Sequence, residues 1–508
     1  MMPSRYDLLV IGGGINGAGI ARDAAGRGLK VLLVERGDLA GATSSASTKL
    51  IHGGLRYLEH FEFRLVSEAL AERDVLIRAA PHIIWPLGFV LPHEPHLRPG
   101  WMIRTGLWLY DRLGGDSHLP RSRAVRLAPA GFGAGLKPEF TRGFFYTDGW
   151  VDDARLVVLN ARSAAEHRAD ILTRTEFLSA RADGDGWLAA IRPPGDSSTG
   201  GGAQTVSARA IVNAAGPWVK QVMERRLGKG ARGNVRHVKG SHIVVPRLHE
   251  QRHAFLLQNP DRRIVFVIPY ERDFTLIGTT DVPVTARDLD AGITPQEIAY
   301  LCEAASRYTS TPITPASVLW SYSGVRPLYD DGSDDPSSVT RDYHFEMSES
   351  GPPLLSVFGG KITTYRRLAE AAMERLVPVF GETTGKRGAW TQDAPLPGGD
   401  FAELGFDALF AQLCERHPHL PGLLLARLAR RHGTLAGRVI GGARTEADLG
   451  RDFGGGLYES EVRWLIANEW AREPEDILWR RTKCGLHMSA TQREQFSIAM
   501  KDIMRDLP

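Results

Sequence analysis

The chain has 508 residues, 43% of them hydrophobic and 24% charged, long enough for two or three domains with substantial cores and too apolar for a disordered protein. Its formal charge of +3 is too small for a nucleic-acid binder and is compatible with an anionic substrate or an anionic membrane surface. Cys302, Cys414 and Cys484 match no metal spacing, no apolar run reaches the roughly 18 residues of a spanning helix, and no signal peptide precedes the first strand; the expectation is cytosolic thiols and no metal.

The first element expected is a parallel strand buried on both faces, because residues 6–11 are an almost unbroken apolar run. It enters Gly12-Gly13-Gly14-Ile15-Asn16-Gly17, a small-residue helix follows, and residues 29–36 make a second strand. In such a unit Gly12 permits the tight turn, Gly14 lets the backbone approach a pyrophosphate, and Gly17 lets the helix close on the sheet. A diphosphate then sits at the positive end of the helix. Glu35 ends the second strand, where a carboxylate accepts from both ribose hydroxyls and repels a 2′-phosphate, so NADP is disfavoured. A lone glycine pattern is weak, but here both flanking elements are present, and its place ahead of any catalytic domain points to FAD.

Residues 41–57 come next, a loop dense in glycine and small hydroxyl residues that suits a chain running under a flat ligand and ends in His52, Arg56 and Tyr57. A helix is expected over residues 63–80. Residues 101–113 carry a broad apolar face with Trp101 and Trp108 beside Arg104 and Arg112, which suits either a lipid interface or a core helix. Residues 144–153 lead into a helix over 154–167, followed by a parallel strand at 170–173 and a hairpin whose Pro/Gly/Ser-rich tip spans 193–202. Residues 208–218 make a buried strand ending at Ala215 and Gly216, and the carboxyl ends of such strands line a cofactor crevice. From 235 to 285 the pattern changes to short alternating strands, an antiparallel sheet taken as a substrate cap that carries His242. Arg326 lies in residues 321–327, and residues 354–365, with Gly359, Gly360, Lys361 and Thr363, repeat strand, glycine turn and helix start. Residues 395–400 read as a linker. Beyond them the pattern is helical, with a basic amphipathic stretch at 423–438 and no detectable chemistry of its own.

With these motifs in this order, the chain resembles the FAD-dependent glycerol-3-phosphate dehydrogenases, respiratory enzymes that pass electrons to quinone. The matching segments are residues 11–28, 42–60, 151–155, 213–218, 239–242, 324–327, 358–366, 469–472 and 476–483, spread over almost the whole length. The fold expected is α/β: a Rossmann-like FAD-binding domain from residues 1–80, 145–234 and 316–390, an antiparallel-sheet substrate cap from 81–144 and 235–315, and a C-terminal all-helical domain over 400–508. The resemblance implies oxidation of glycerol 3-phosphate to dihydroxyacetone phosphate with FAD as hydride acceptor and quinone as the next acceptor. It further implies a homodimer, cytoplasmic and held peripherally on the anionic inner face of the cell membrane. Glycerol-3-phosphate oxidases, which use oxygen, share most of the motifs but usually carry an inserted segment for which this chain has no room.

Oxidising a secondary alcohol needs a base with a pKa near the working pH and positive charge beside the developing alkoxide. The phosphate needs fixed donors, for which the arginine fork is preferred. Six residues stand at family positions near the substrate: His52, Arg56, Tyr57, His242, Arg326 and Lys361. Arg56 and Arg326 are assigned to the phosphate and the developing charge, Tyr57 to orientation, Lys361 to the alkoxide or flavin anion, and one of the two histidines to the proton. The expected FAD contacts are Gly12, Gly14, Gly17 and Glu35 for the adenosine diphosphate and Thr43, Ser44 and Ser47 nearer the flavin. Ala215, Gly216, Gly359, Gly360 and Thr363 complete the set, with the cofactor held noncovalently. Two rivals remain: an amine or amino-acid oxidase, whose site favours a carboxylate and a neutral amine over a dianion, and a noncatalytic flavoprotein scaffold working through its C-terminal helices.

Overall fold

The computed structural model describes residues 4–94, 99–115, 117–194, 202–231, 233–330, 342–381 and 388–506. Two sheets organise them. The first runs in the order Tyr343–Met347, Leu354–Gly359, Gln204–Asn213, Ser4–Ile11, Val31–Val34, Asp170–Leu172. Every neighbouring pair from Leu354–Gly359 to Asp170–Leu172 is parallel; the edge strand Tyr343–Met347 runs the other way, and Gly186–Arg192 branches off antiparallel to Gln204–Asn213. Leu8, Leu9 and Val10 are fully buried on both faces, as the unbroken apolar run requires. Helices Ile15–Gly26, Asp153–Glu166 and Tyr365–Phe380 cover one face, while the hairpin Glu176–Asp183 and Gly186–Arg192 covers the other. The tip expected at 193–202 falls largely on residues outside those described.

The second sheet has ten strands and is antiparallel except where Ile84–Pro92 meets Ala254–Gln258. It includes three strands from segments expected in the nucleotide unit, the shortest being Leu50–Ile51, which pairs with Arg142–Val151. Arg142–Val151 crosses the boundary placed at 145 and pairs with Ile84–Pro92 along its whole length, in an unbroken register from Ile84 opposite Val151 to Pro92 opposite Gly143. Trp320–Asp330, which contains Gly324 and Pro327, is one long strand against Asn234–Pro246. That pairing brings His242 and Arg326 into a single sheet.

Among the described residues no helix is long and apolar enough to cross a membrane. The helix Gly100–Leu113 buries Ile103, Leu107 and Tyr110, as the core-helix reading requires, and leaves Trp101, Met102 and Trp108 exposed on its other face. The stretch at 423–438 differs from expectation. Arg431 is buried against Glu461, Arg430 lies over the rings of Trp85 and Phe406, and Arg427 donates to the Gly455 carbonyl, so three of its arginines point into the molecule while Arg438 is exposed. A helical period does not distinguish cations facing solvent from cations paired with buried carboxylates.

The segment at 395–400 is likewise docked. Leu396 is buried and its N–H donates to the Ala79 carbonyl at 2.8 Å, while Thr434 N–H donates to the Gly398 carbonyl at 3.1 Å. Buried ion pairs then join the C-terminal helices to the nucleotide sheet: Arg155 with Glu469, Arg174 with Asp476, Lys483 with Asp152, and Arg480 and Arg481 with Asp38. Removing one partner of such a pair leaves a charge buried without compensation. The Asp38→Ala protein should therefore lose about 3–5 kcal/mol of stability, read as a lower urea midpoint. A change below about 0.5 kcal/mol would place this pair with ordinary surface contacts.

Candidate active site

A cavity of about 480 Å³ opens where strands Ser4–Ile11 and Val31–Val34 end. Gly12, Gly14, Glu35, Thr43, Ser44, Ala215 and Gly216 line it. Gly12 has a φ of +108°, and a Cβ there would stand 2.6 Å from the Ala214 carbonyl oxygen, so only glycine makes this turn. Gly17 is not on the wall. It sits behind it, where a Cβ would come within 1.9 Å of the Gly12 oxygen, and its role is to let the helix approach the strand.

Gly14 is the N-cap of Ile15–Gly26 and brings no side chain over the helix start; Ser44 Oγ accepts from Ile15 N–H at 3.0 Å. Glu35 takes one backbone donor on each oxygen, Gly13 N–H and Gly37 N–H, both at 2.7 Å. Burial pushes its carboxyl upward against the pull of these two amides. An open helix terminus, a bare glycine turn and a preoriented carboxylate fit the adenosine diphosphate part of FAD. Arg36, Trp218 and Arg480, given no role in the reading of the sequence, also line it. Arg36 lies 4.1 Å over the Trp218 ring, and Arg480 arrives from the C-terminal helices.

A second cavity, of about 330 Å³, shares Thr43 and Ser44 with the first. His52, Arg56, Tyr57, His242, Arg326 and Lys361 all line it, as do Ser47, Gly360 and Thr363. Gly359 does not; its carbonyl accepts from Asn16 Nδ2 at 3.1 Å behind the wall. The loop between the cavities is pinned from several sides. Thr43 Oγ1 donates to the Val325 carbonyl at 2.7 Å, Ser47 N–H and Oγ–H both donate to Asp153, and Lys49 pairs with Asp153 at 2.7 Å.

His242 is buried, with Nε2 3.0 Å from Thr48 Oγ1 and its ring stacked on Tyr322. Burial first, then the charges of Lys49 and Arg326, drive its pKa well below the usual histidine value, so the imidazole is neutral. Arg326 is held by Asp281, Thr279 Oγ1 and the Thr280 carbonyl. Arg56 has no carboxylate partner among the described residues. The Lys361 ammonium lies 4.1 Å over the Tyr57 ring, and Thr363 Oγ1 accepts from His52 N–H at 3.2 Å.

Asp148, which sequence reasoning missed, also lines this cavity. Burial pushes its carboxyl up to about 6 against the pull of Arg73 and Tyr110. Tyr110 Oη donates to Asp148 and accepts from Gly53 N–H, so this group anchors the turn between His52 and Arg56. Its only sequence signal was an aspartate beside a glycine at the end of an aromatic strand.

Comparison with known proteins agrees with this geometry. Residues 7–366 match the family described as FAD dependent oxidoreductase, and residues 389–506 match the C-terminal domain of alpha-glycerophosphate oxidase. The chain is 52% identical to D-erythritol 1-phosphate dehydrogenase of Brucella abortus (strain 2308), over 97% of both chains. It is 51% identical to the aerobic glycerol-3-phosphate dehydrogenase of Escherichia coli (strain K12), over 97% of this chain and 96% of that one. Among solved structures, the glycerol-3-phosphate dehydrogenase from Bacillus halodurans complexed with FAD superposes with a TM-score of 0.74 at 27% identity, covering 98% of this chain and 90% of that one. The first cavity yields a direct test: Gly12→Val should give a folded protein without visible flavin absorbance, and a yellow Gly12→Val protein with full flavin content would refute the glycine-turn assignment.

Proposed function

The chain belongs to the FAD-dependent oxidoreductase family, among its glycerol-3-phosphate dehydrogenases, and we propose that it oxidises glycerol 3-phosphate to dihydroxyacetone phosphate in the second cavity. The observation that carries this reading is the convergence there of one neutral imidazole with two guanidiniums and an ammonium. FAD supplies the hydride acceptor. His242 takes the hydroxyl proton at Nε2, the nitrogen that meets Thr48 on the cavity wall. Lys361 stabilises the developing alkoxide, Arg56 and Arg326 hold the phosphate dianion, and Tyr57 orients the carbon chain. Arg326, already fixed by Asp281, Thr279 and Thr280, needs little reordering to do so.

A second substrate reading is favoured by the relative named for D-erythritol 1-phosphate. Glu59 and Asp148 line the cavity, and carboxylates there would accept hydrogen bonds from the additional hydroxyl of a four-carbon chain. Electrons then pass to a membrane quinone, with the protein bound peripherally to an anionic lipid surface. What supports this is the exposed face of Gly100–Leu113, which packs against the cavity turn Leu55–His60. It presents Trp101, Met102 and Trp108, with the Arg112 guanidinium 3.7 Å over the Trp108 ring.

Anaerobic titration of the purified flavoprotein tests the reading. Glycerol 3-phosphate should bleach the flavin while sarcosine and amino acids do not, and a quinone analogue should restore the colour faster than oxygen. Equal or faster bleaching by D-erythritol 1-phosphate would move the substrate assignment to the longer polyol. Arg326→Ala should lower kcat/KM by roughly tenfold to a hundredfold, the worth of one charge-assisted hydrogen bond; unchanged affinity and turnover would remove Arg326 from the phosphate site. Because a base works only when unprotonated, the second-order rate of flavin reduction at low substrate, which reports the free enzyme, should fall as pH drops through the depressed pKa of His242, below the usual histidine range. His242→Gln should abolish that acidic limb.

A further inference from the structure

The segment Asp476–Arg481 of the C-terminal helices reaches the site region at two adjacent residues. Arg480 lines the first cavity and pairs with Asp38. Trp479 lies flat on Trp320, with ring centroids 4.8 Å apart and planes at 16°. Trp320 meets Tyr322 at 5.1 Å, and Tyr322 stacks on His242 at 4.8 Å and 18°. Four rings thus form a continuous column from the helical domain to the imidazole.

Strand register builds the inner part of this column. Tyr322 stands directly opposite His242, and Trp320, two residues earlier and so on the same face, stands opposite Val244. On its other side the imidazole presses on Gly278, where a Cβ would lie 2.0 Å from His242 Cδ2. The torsion that turns an imidazole about its stem is broad and two-fold, so packing on both faces has to fix the ring plane. Gly278 supplies one face and Tyr322 the other. Tyr322 is held by its hydroxyl, which donates to the Ser47 carbonyl at 2.8 Å, and by Lys49, 5.0 Å over its ring. The remaining support for the column comes from the indole of Trp320, backed by Trp479.

We infer that Trp479 is a positioning residue for His242, so that the C-terminal helical domain sets the orientation of the proton acceptor although it supplies no group to the substrate. This rests on His242 being the base. The charged groups facing the imidazole are Lys49 and Arg326, each paired with a carboxylate, Asp153 and Asp281 respectively, while Thr48 and Tyr322 are its polar neighbours. None of these belongs to the C-terminal domain. Trp479 therefore acts on the ring through geometry and not through charge.

The test uses the flavin-loaded enzyme in rapid anaerobic mixing with glycerol 3-phosphate across pH, with flavin content measured in parallel. Trp479→Leu should keep its flavin and slow flavin reduction on the order of tenfold to a hundredfold, the usual consequence of a displaced catalytic group. Its acidic limb should be displaced from that of the parent enzyme, and Trp479→Phe, which restores a ring, should return both rate and limb. Trp320→Leu, one ring closer, should show the same displaced limb. A parent-like rate and limb in Trp479→Leu, or in Trp320→Leu where Trp479→Leu fails to hold flavin, would overturn the inference. So would a slowed Trp479→Leu enzyme whose limb has not moved and whose rate Trp479→Phe does not restore, the signature of support for the fold alone. His242→Gln separates the two levels. If it retains the acidic limb, the base assignment itself falls; if it loses the limb while the Trp479 and Trp320 variants behave as the parent, only the positioning role falls.

Discussion

A single backbone contact sets the spacing on which both cavities depend. The helix Ile15–Gly26 comes so close to the strand before it that Gly17 has no room for a side chain over the Gly12 carbonyl. This approach puts the helix terminus at the end of the sheet, where Gly14 leaves it bare for a diphosphate. It also fixes where the next loop must lie. Ser44 Oγ takes the Ile15 N–H, Thr43 bonds across to Val325 in the second sheet, and the chain from Thr43 to Thr48 becomes a shared wall between a nucleotide crevice and a substrate cavity.

Holding that wall in place takes a buried ionic network. Lys49 is fully buried, and burial lowers its pKa against the attraction of Asp153. Asp153 in turn receives Ser47 twice, while its neighbour Asp152 receives Lys483 from the helical domain. Buried pairs of this kind gain little net stability, because desolvation offsets most of the attraction, but they tolerate few alternative arrangements. Here they lock a loop of small residues, which has little apolar surface of its own to pack, to both the nucleotide sheet and the C-terminal helices.

What was legible in the sequence follows from the range of the interactions involved. The glycine turn, its helix and the parallel strands around it are local consequences of residue type, and residues 6–36 declare them. The six side chains of the second cavity were named from motifs, but bringing His242 beside Arg326 depends on the pairing of Asn234–Pro246 with Trp320–Asp330, strands about 80 residues apart in sequence. Long-range partners left no local trace. Asp148 looked like a loop aspartate until Tyr110 and Arg73 closed over it. Trp479 and Arg480 lay in a helical segment credited with no chemistry, and the cations at 423–438 resembled a lipid-facing stripe because Glu461, their internal partner, stands far along the chain.

The same charges explain why this cavity suits a phosphorylated alcohol better than an amino acid. Burial first, and then the charges of Lys49 and Arg326, disfavour a proton on His242, which would leave the free enzyme with a neutral but weak base. In the proposed binding mode, a phosphate dianion seated on Arg56 and Arg326 would offset part of that positive field and would raise the affinity of the imidazole for a proton only once substrate is bound. The phosphate thereby does more than anchor the molecule, since its charge brings the base toward the working pH at the moment a proton has to move. A zwitterionic amine substrate brings one negative charge and one positive, leaves the field nearly unchanged, and gives His242 no such increase in basicity.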